Sequence, residues 1–212
     1  MNEAILEPML RRMRIRQVFP IIRQYHDCVL LDIGCGWDAK FLRSVEAYVS
    51  KGEGIDPRAP ELRTQKLSTR RITVTESLPY DSETFDVVTM MAVLEHVSRP
   101  RAVIVEIFRI LKPGGRLVLT VPSNAAKPVL EFLAFRLGIV SAAEIRDHKR
   151  YYNKELLRQL LSNTGLVMEA HHYFQLGMNN FVVCGKQSIP ADPVSDLEAE
   201  ACAASNRKRS GQ

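Results

Sequence analysis

Two glycines and two acids at the ends of short strand-like runs carry the most specific chemistry this sequence offers. Cys28-Val29-Leu30-Leu31-Asp32-Ile33-Gly34-Cys35-Gly36-Trp37-Asp38 opens with an apolar run too short for a helix and closes on glycines, the pattern of a buried strand entering a tight turn. Gly34 and Gly36 lack Cβ atoms, so the backbone there can come close to a ligand, and Asp32 puts a carboxylate at the strand's carboxyl end. Gly34-x-Gly36-x-x-Ala39 formally matches a dinucleotide fingerprint, in which a pyrophosphate rests on a helix N-terminus. Asp32, Trp37 and Asp38 instead crowd the turn with a ring and two negative charges, which suits a cationic ligand better than a diphosphate.

S-adenosylmethionine answers that description, having a sulfonium, an ammonium and no phosphate. A second acid follows about twenty residues after the turn. Gly52-Glu53-Gly54-Ile55-Asp56 reads as a strand ending in a carboxylate, which can accept hydrogen bonds from two adjacent ribose hydroxyls. The alternative for Asp56 is a turn-starting residue before Pro57. Together with Phe85-Asp86-Val87-Val88, Leu94-Glu95-His96-Val97 and Leu111-Lys112-Pro113-Gly114-Gly115, these segments resemble the successive motifs of class I S-adenosylmethionine-dependent methyltransferases. Within that family they are most similar to the branch of quinone-biosynthesis, small-molecule and saccharide methyltransferases. The resemblance covers roughly residues 25 to 186.

The resemblance implies S-adenosylmethionine as cofactor, contacted by Asp32, Gly34, Cys35, Gly36, Asp56, Glu76 and Met91. It implies methyl transfer to a small-molecule acceptor, with oxygen favoured as the receiving atom. An RNA methyltransferase and a non-catalytic binding protein stand as alternatives. His96 and His148 are the candidate general bases, the second within Arg146-Asp147-His148-Lys149-Arg150-Tyr151-Tyr152, a stretch similar to one that lines the acceptor pocket in some members. For His96 a structural hydrogen bond within its loop is the favoured reading. Two departures from the family pattern are present. A third glycine is replaced near Asp38, which reads as a helix cap or as a ligand contact. Some relatives carry a Glu three residues before the Glu-His pair where this chain has Ala92, which leaves too few hard ligands, so no metal is expected.

These residues must be held by an α/β frame. Strands expected at 28–32, 52–56, 72–75, 85–91 and 116–121 alternate with helical stretches, the signature of a doubly wound, mostly parallel sheet. Leu166 to Phe174 and Phe181 to Cys184 complete seven strands as an antiparallel hairpin. Asn153 is expected to cap a helix that buries Leu156, Leu157, Leu160 and Leu161. An N-terminal helical segment occupies 1–24, a methyltransferase domain 25–186 with an apolar lid insertion at about 125–150, and a disordered tail 187–212. The first helix, with arginines between apolar residues, reads as packed on the sheet, as lying on an anionic membrane, or as contacting RNA phosphates. The lid has the parallel readings of acceptor cover, core and membrane contact.

At 212 residues with a formal charge of +5 and four scattered cysteines, composition adds limits rather than assignments. The charge is too mild to mark a nucleic-acid binder, and none is favoured as partner. No C-x-x-C pair points to zinc or to a disulfide framework. Free thiols and the lack of a signal-like segment give a cytoplasmic expectation, and oligomeric state stays open.

Overall fold

The computed structural model describes residues 7–135 and 149–187, with side chains from residue 8 and not beyond 130 in the first stretch. Element order is α1 (Glu7–Ile22), β1 (Val29–Ile33), α2 (Lys40–Val45), β2 (Lys51–Asp56), β3 (Leu67–Arg71), β4 (Phe85–Met91), α3 (Pro100–Ile110), β5 (Leu111–Pro122), α4 (Ala126–Phe135), α5 (Lys154–Leu161), β6 (Leu166–Phe174) and β7 (Asn179–Lys186). Single 3₁₀ turns occupy Glu46–Tyr48 and Leu94–His96. The strands form one sheet in the order β3-β2-β1-β4-β5-β7-β6. β1 to β5 run parallel, and β7 pairs antiparallel with both β5 and β6. The doubly wound sheet with its closing hairpin is therefore as the periodicity indicates.

A parallel sheet buried on both faces needs two cores, and alternation along each strand supplies them. Leu31, Ile33, Val88 and Met90 face α3 and α5 with Val103, Ile107, Leu157 and Leu161. Leu30, Val87 and Val118 face the other way, against Val18 and Ile22 of α1 and Phe41, Leu42 and Val45 of α2. Val18 and Ile22 are fully buried, so the packed reading of the first helix holds for the described part of α1. Its far end lies by the β6–β7 turn, where Gln175 Nε2 donates to the Leu10 carbonyl at 3.0 Å. Its near end lies at the opposite edge, where Tyr25 Oη donates to the Gly114 carbonyl at 2.9 Å. The helix thus runs the height of the sheet, and its N-terminal part stands at the edge where the parallel strands end.

Several local expectations change. Residues 72–75 form no strand; β3 is Leu67–Arg71, in register with β2 from Gly52↔Leu67 to Asp56↔Arg71. Asp38 is not the cap of α2: that position is Ala39, with φ 49° and no side-chain bond, while Asp38 Oδ1 accepts from the Lys40 amide one residue further on. Asn153 does cap α5, accepting from the Leu156 amide at 2.8 Å. Of the four leucines expected inside, Leu157 and Leu161 are buried and Leu156 is exposed. No helix among the described residues is long and apolar enough to cross a membrane. The proposed lid is described only through α4, and residues 136–148 and the proposed tail from 188 lie outside the described residues, as does Cys202.

Candidate functional site

Ligands of open α/β sheets bind beyond the strands' carboxyl ends, near the point where strand order reverses, and that point here lies between β1 and β4. β1 ends by swinging over β2: the amides of Gly34 and Cys35 both donate to the Ile55 carbonyl, at 2.8 and 3.2 Å. Gly34 has φ +81°, and a Cβ there would sit 2.1 Å from Val93 Cγ2. Gly36 has φ +73° with nothing within 4 Å of a Cβ position. One glycine is thus demanded by protein packing, whereas the other faces open space that a ligand can fill.

The two acids flank this turn. Asp56 ends β2, with Oδ2 accepting from the Gly36 amide at 3.2 Å and Oδ1 from the Arg58 amide at 2.7 Å. Each oxygen keeps a lone pair, so the carboxylate can still accept two hydroxyls. Asp32 is buried, pointing by strand alternation to the α1–α2 face, and Oδ1 accepts from Thr89 Oγ1 at 2.8 Å. Burial pushes its carboxyl up to about 7, with Thr89 opposing and Asp56 reinforcing the shift. Cys35 packs on the glycine backbone of β2, where a Cβ on Gly54 would lie 3.0 Å from its sulfur. Burial and the Asp32 and Asp56 charges push its thiol up to about 12, so it is a packing group and not a nucleophile. Met91 ends β4 beside Thr120 of β5.

The raised carboxyl of Asp32 has a signed consequence. The folded state keeps a proton that the unfolded chain releases near pH 4, so ionising Asp32 costs stability progressively as pH rises to about 7, and the cost is complete above that. Asp32→Asn keeps an acceptor for Thr89 and removes the charge. It should match the wild type in stability below pH 4 and exceed it above pH 7 by no more than about 4 kcal/mol, as read from melting curves across pH, while losing affinity for a cationic ligand.

The remaining candidates separate from this cluster. Glu76 lies in the loop after β3, exposed and ion-paired with Arg99 Nη1 at 2.5 Å, on an open groove of about 680 Å³ whose walls include Ser98, Pro100, Val105 and Arg150. An adenine contact from Glu76 would have to break that pair, and no hydrogen bond or ion pair links it to the glycine turn. His96 ends the 3₁₀ turn after β4, half-buried, its amide donating to the Val93 carbonyl at 3.0 Å. His148 lies outside the described residues. Adjacent His171 and His172 face apart as strand alternation requires, one to Asn180 and the other to Gln17.

Three groups at the same edge have no individual role in the sequence reading, although Glu95 and Tyr152 lie in stretches it singles out. Glu95 is 1 % exposed, and neither carboxylate oxygen has a hydrogen-bond partner among the described residues. Thr120 Oγ1 and Tyr152 Oη are also buried and unbonded. The available signals were weak: a Glu next to Leu94 in a short loop, and a Thr in an otherwise apolar strand.

A diphosphate fits this corner poorly. Of the cations beside the turn, Lys40 pairs with Asp38 at 2.8 Å and stands over the Trp37 ring, and Arg58 pairs with Asp56 at 4.0 Å. Asp38 already engages the first amide of α2, and Asp32 and Asp56 would repel phosphate. A sugar-bearing cation fits: Asp56 has lone pairs for hydroxyls, Gly36 leaves space, and Asp32 supplies negative charge. No group of His, Cys, Asp and Glu that could hold a metal ion occurs among the described residues.

Comparison with known proteins gives the family and the fold. The family model described as a methyltransferase domain matches residues 11–171. A ubiquinone biosynthesis O-methyltransferase of Aeromonas salmonicida is 28% identical over 172 residues, covering 71% of each chain. One of Colwellia psychrerythraea is 32% identical over 117 residues, covering 50% of this chain. The chain spans 46% of the length of that second relative and 41% of the mouse mitochondrial enzyme of the same name. Among solved structures, an S-adenosylmethionine-dependent methyltransferase of Methanosarcina mazei superposes with TM-score 0.57 at 21% identity, covering 79% of this chain and 97% of that one. Another from Mesorhizobium loti gives TM-score 0.59 at 16% identity, covering 79% and 97%. At such identities the structures speak to the fold alone.

Proposed function

This chain belongs to the methyltransferase-domain family, and from that premise we infer that it moves a methyl group from S-adenosylmethionine to an oxygen of a small acceptor, favouring a phenolic, quinone-precursor type. The observation that carries the reading is the contact between the Gly36 amide and Asp56. It joins an acid able to hold a sugar to an open glycine turn whose neighbouring cations, Lys40 and Arg58, are paired with Asp38 and Asp56. The choice of a phenolic acceptor is supported by relatives named for ubiquinone biosynthesis and by unbonded buried polar atoms beside the turn.

When bound, the cofactor supplies a methyl group already activated on a sulfonium. The protein's own residues then have three tasks. Asp56 fixes the ribose with its two spare lone pairs, and the turn at Gly34 and Gly36 lets the backbone lie against the ligand. Asp32 balances the positive end. Met91, partly buried at the end of β4, would wall the ligand space on that side and help exclude water.

Incubation of the protein with methyl-labelled S-adenosylmethionine and a cell extract tests this. Label should enter a small molecule that gains the mass of one methyl group, and that molecule should carry a new methoxy group. Label confined to RNA would favour the alternative in which the arginines of α1 follow a phosphate track, and would overturn the small-acceptor reading.

A further inference from the structure

Buried polar groups on Glu95, Thr120 and Tyr152, past or near the ends of β4 and β5, lack hydrogen-bond partners among the described residues. Glu95 sits in the 3₁₀ turn that follows β4, and its backbone carbonyl accepts from the Lys149 amide at 2.9 Å. That bond brings the chain segment leading to Tyr152 against the turn, while the Tyr152 amide is tied to the Pro122 carbonyl at 3.1 Å. The Glu95 charge acts on the Tyr152 hydroxyl and favours its protonated form. Glu95 is 1 % and Tyr152 4 % exposed, and neither Glu95 oxygen nor the Tyr152 hydroxyl makes a well-formed hydrogen bond among the described residues, although the Glu95 amide and the Arg150 side chain stand close to them. A buried carboxylate left in this state is costly, and such groups call for a missing partner. A partner that donates to Glu95 and accepts from Tyr152 satisfies both at once. A hydroxyl does so.

We propose that Glu95 is a catalytic residue that takes the proton of the acceptor's hydroxyl, with Tyr152 donating a hydrogen bond to the same oxygen. The inference rests on the methyl-transfer reading above and adds the site of proton removal. The O–H bond breaks, and its proton passes to a Glu95 oxygen. The freed pair on the acceptor oxygen forms the new bond to the methyl carbon, and the C–S pair returns to sulfur, leaving a neutral thioether, a methyl ether and a protonated Glu95.

The surroundings suit that task. Burial raises the Glu95 carboxyl to about 7, opposed by its own amide, by His96 on the same turn and by Arg14 on α1, which places a base near neutral pH. Arg150 stands near the Tyr152 hydroxyl and draws its pKa down against the raising effects of burial and of Glu95. Positive charge on both sides favours a developing phenolate.

The test uses catechol as probe on the full chain loaded with S-adenosylhomocysteine, whose own binding is measured first by calorimetry. Catechol affinity in the wild type should rise about tenfold from pH 6 to pH 8, as Glu95 gives up its proton. Glu95→Gln should flatten that profile, keep cofactor affinity, and cut methylation of catechol by about 100-fold or more. Tyr152→Phe should weaken catechol several-fold and retain the pH profile, which keeps the proposal testable if the Gln variant does not fold. An unchanged profile in Glu95→Gln, or no catechol binding by the loaded wild type, overturns the proposal. Failure to bind S-adenosylhomocysteine at all would instead strike the methyl-transfer reading itself.

Discussion

Asp56→Asn should lower affinity for S-adenosylhomocysteine by about 100-fold while moving the melting temperature by less than about 5 °C. A hydrogen bond to a charged group contributes about 1.5–3 kcal/mol, and each 1.4 kcal/mol is a factor of about ten. Losing the charge and one acceptor oxygen weakens both ribose contacts, which together amount to about 3 kcal/mol. The fold loses less. The Asn carbonyl can still accept from the Arg58 amide at the end of β2, and the Gly34 and Cys35 amides hold the turn on the Ile55 carbonyl without help from residue 56. Titration calorimetry and a melting curve on the same preparation separate the two effects. Equal affinity in the variant would remove the ribose assignment.

Gly34→Ala should instead damage the fold and the site together. The φ of +81° costs an L residue about 1–2 kcal/mol, and a Cβ 2.1 Å from Val93 Cγ2 adds an overpacking cost of about 1–3 kcal/mol. The sum, near 3 kcal/mol, corresponds to a melting temperature lower by roughly 10 °C for a chain of this size. Because Val93 leads into the turn that carries Glu95, the displaced side chain also disturbs the acceptor edge. Adding Val93→Ala should recover the steric part and leave the backbone part, so the double variant should melt between Gly34→Ala and wild type. Equal melting of Gly34→Ala and wild type would contradict the packing described for this turn. Gly36→Ala, with open space at its Cβ position, should cost mainly the backbone term.

What could be read from the sequence was what alternation and glycine placement encode. β1 and β4 are mainly apolar runs and β2 a glycine-spaced segment bounded by charge, and they carry Asp32, Asp56 and Met91 at or next to their ends, so the convergence of these residues follows once the sheet is parallel. β3 was misplaced for a reason that only pairing reveals. Ile72 and Val74 alternate with threonines, yet Leu67–Arg71 takes the strand because β3 is an edge strand whose register is dictated by β2, and β2 stops at Asp56. Asp38 misled in a similar way. Aspartate is a good cap by type, but Ala39 takes the left-handed conformation, which starts the helix one residue later.

The acceptor side was harder to read because burial of a carboxylate is not a local property. Glu95 and His96 are neighbours in a motif, and a histidine draws attention by its ordinary pKa. The chain from Lys149 folds back onto the Glu95 carbonyl, a contact between residues more than fifty apart that ties the segment leading to Tyr152 to this turn. Thr89 was hidden in a continuous apolar strand, although its hydroxyl is what steadies Asp32.

The central claim is that the acid-flanked turn after β1 holds a sugar-bearing sulfonium donor. Titration of the wild-type chain with S-adenosylmethionine, beside a parallel titration with NADH, tests it most directly. One cofactor should bind per chain with saturable heat, and the dinucleotide should give none. Saturable binding of NADH with no response to S-adenosylmethionine would contradict the account.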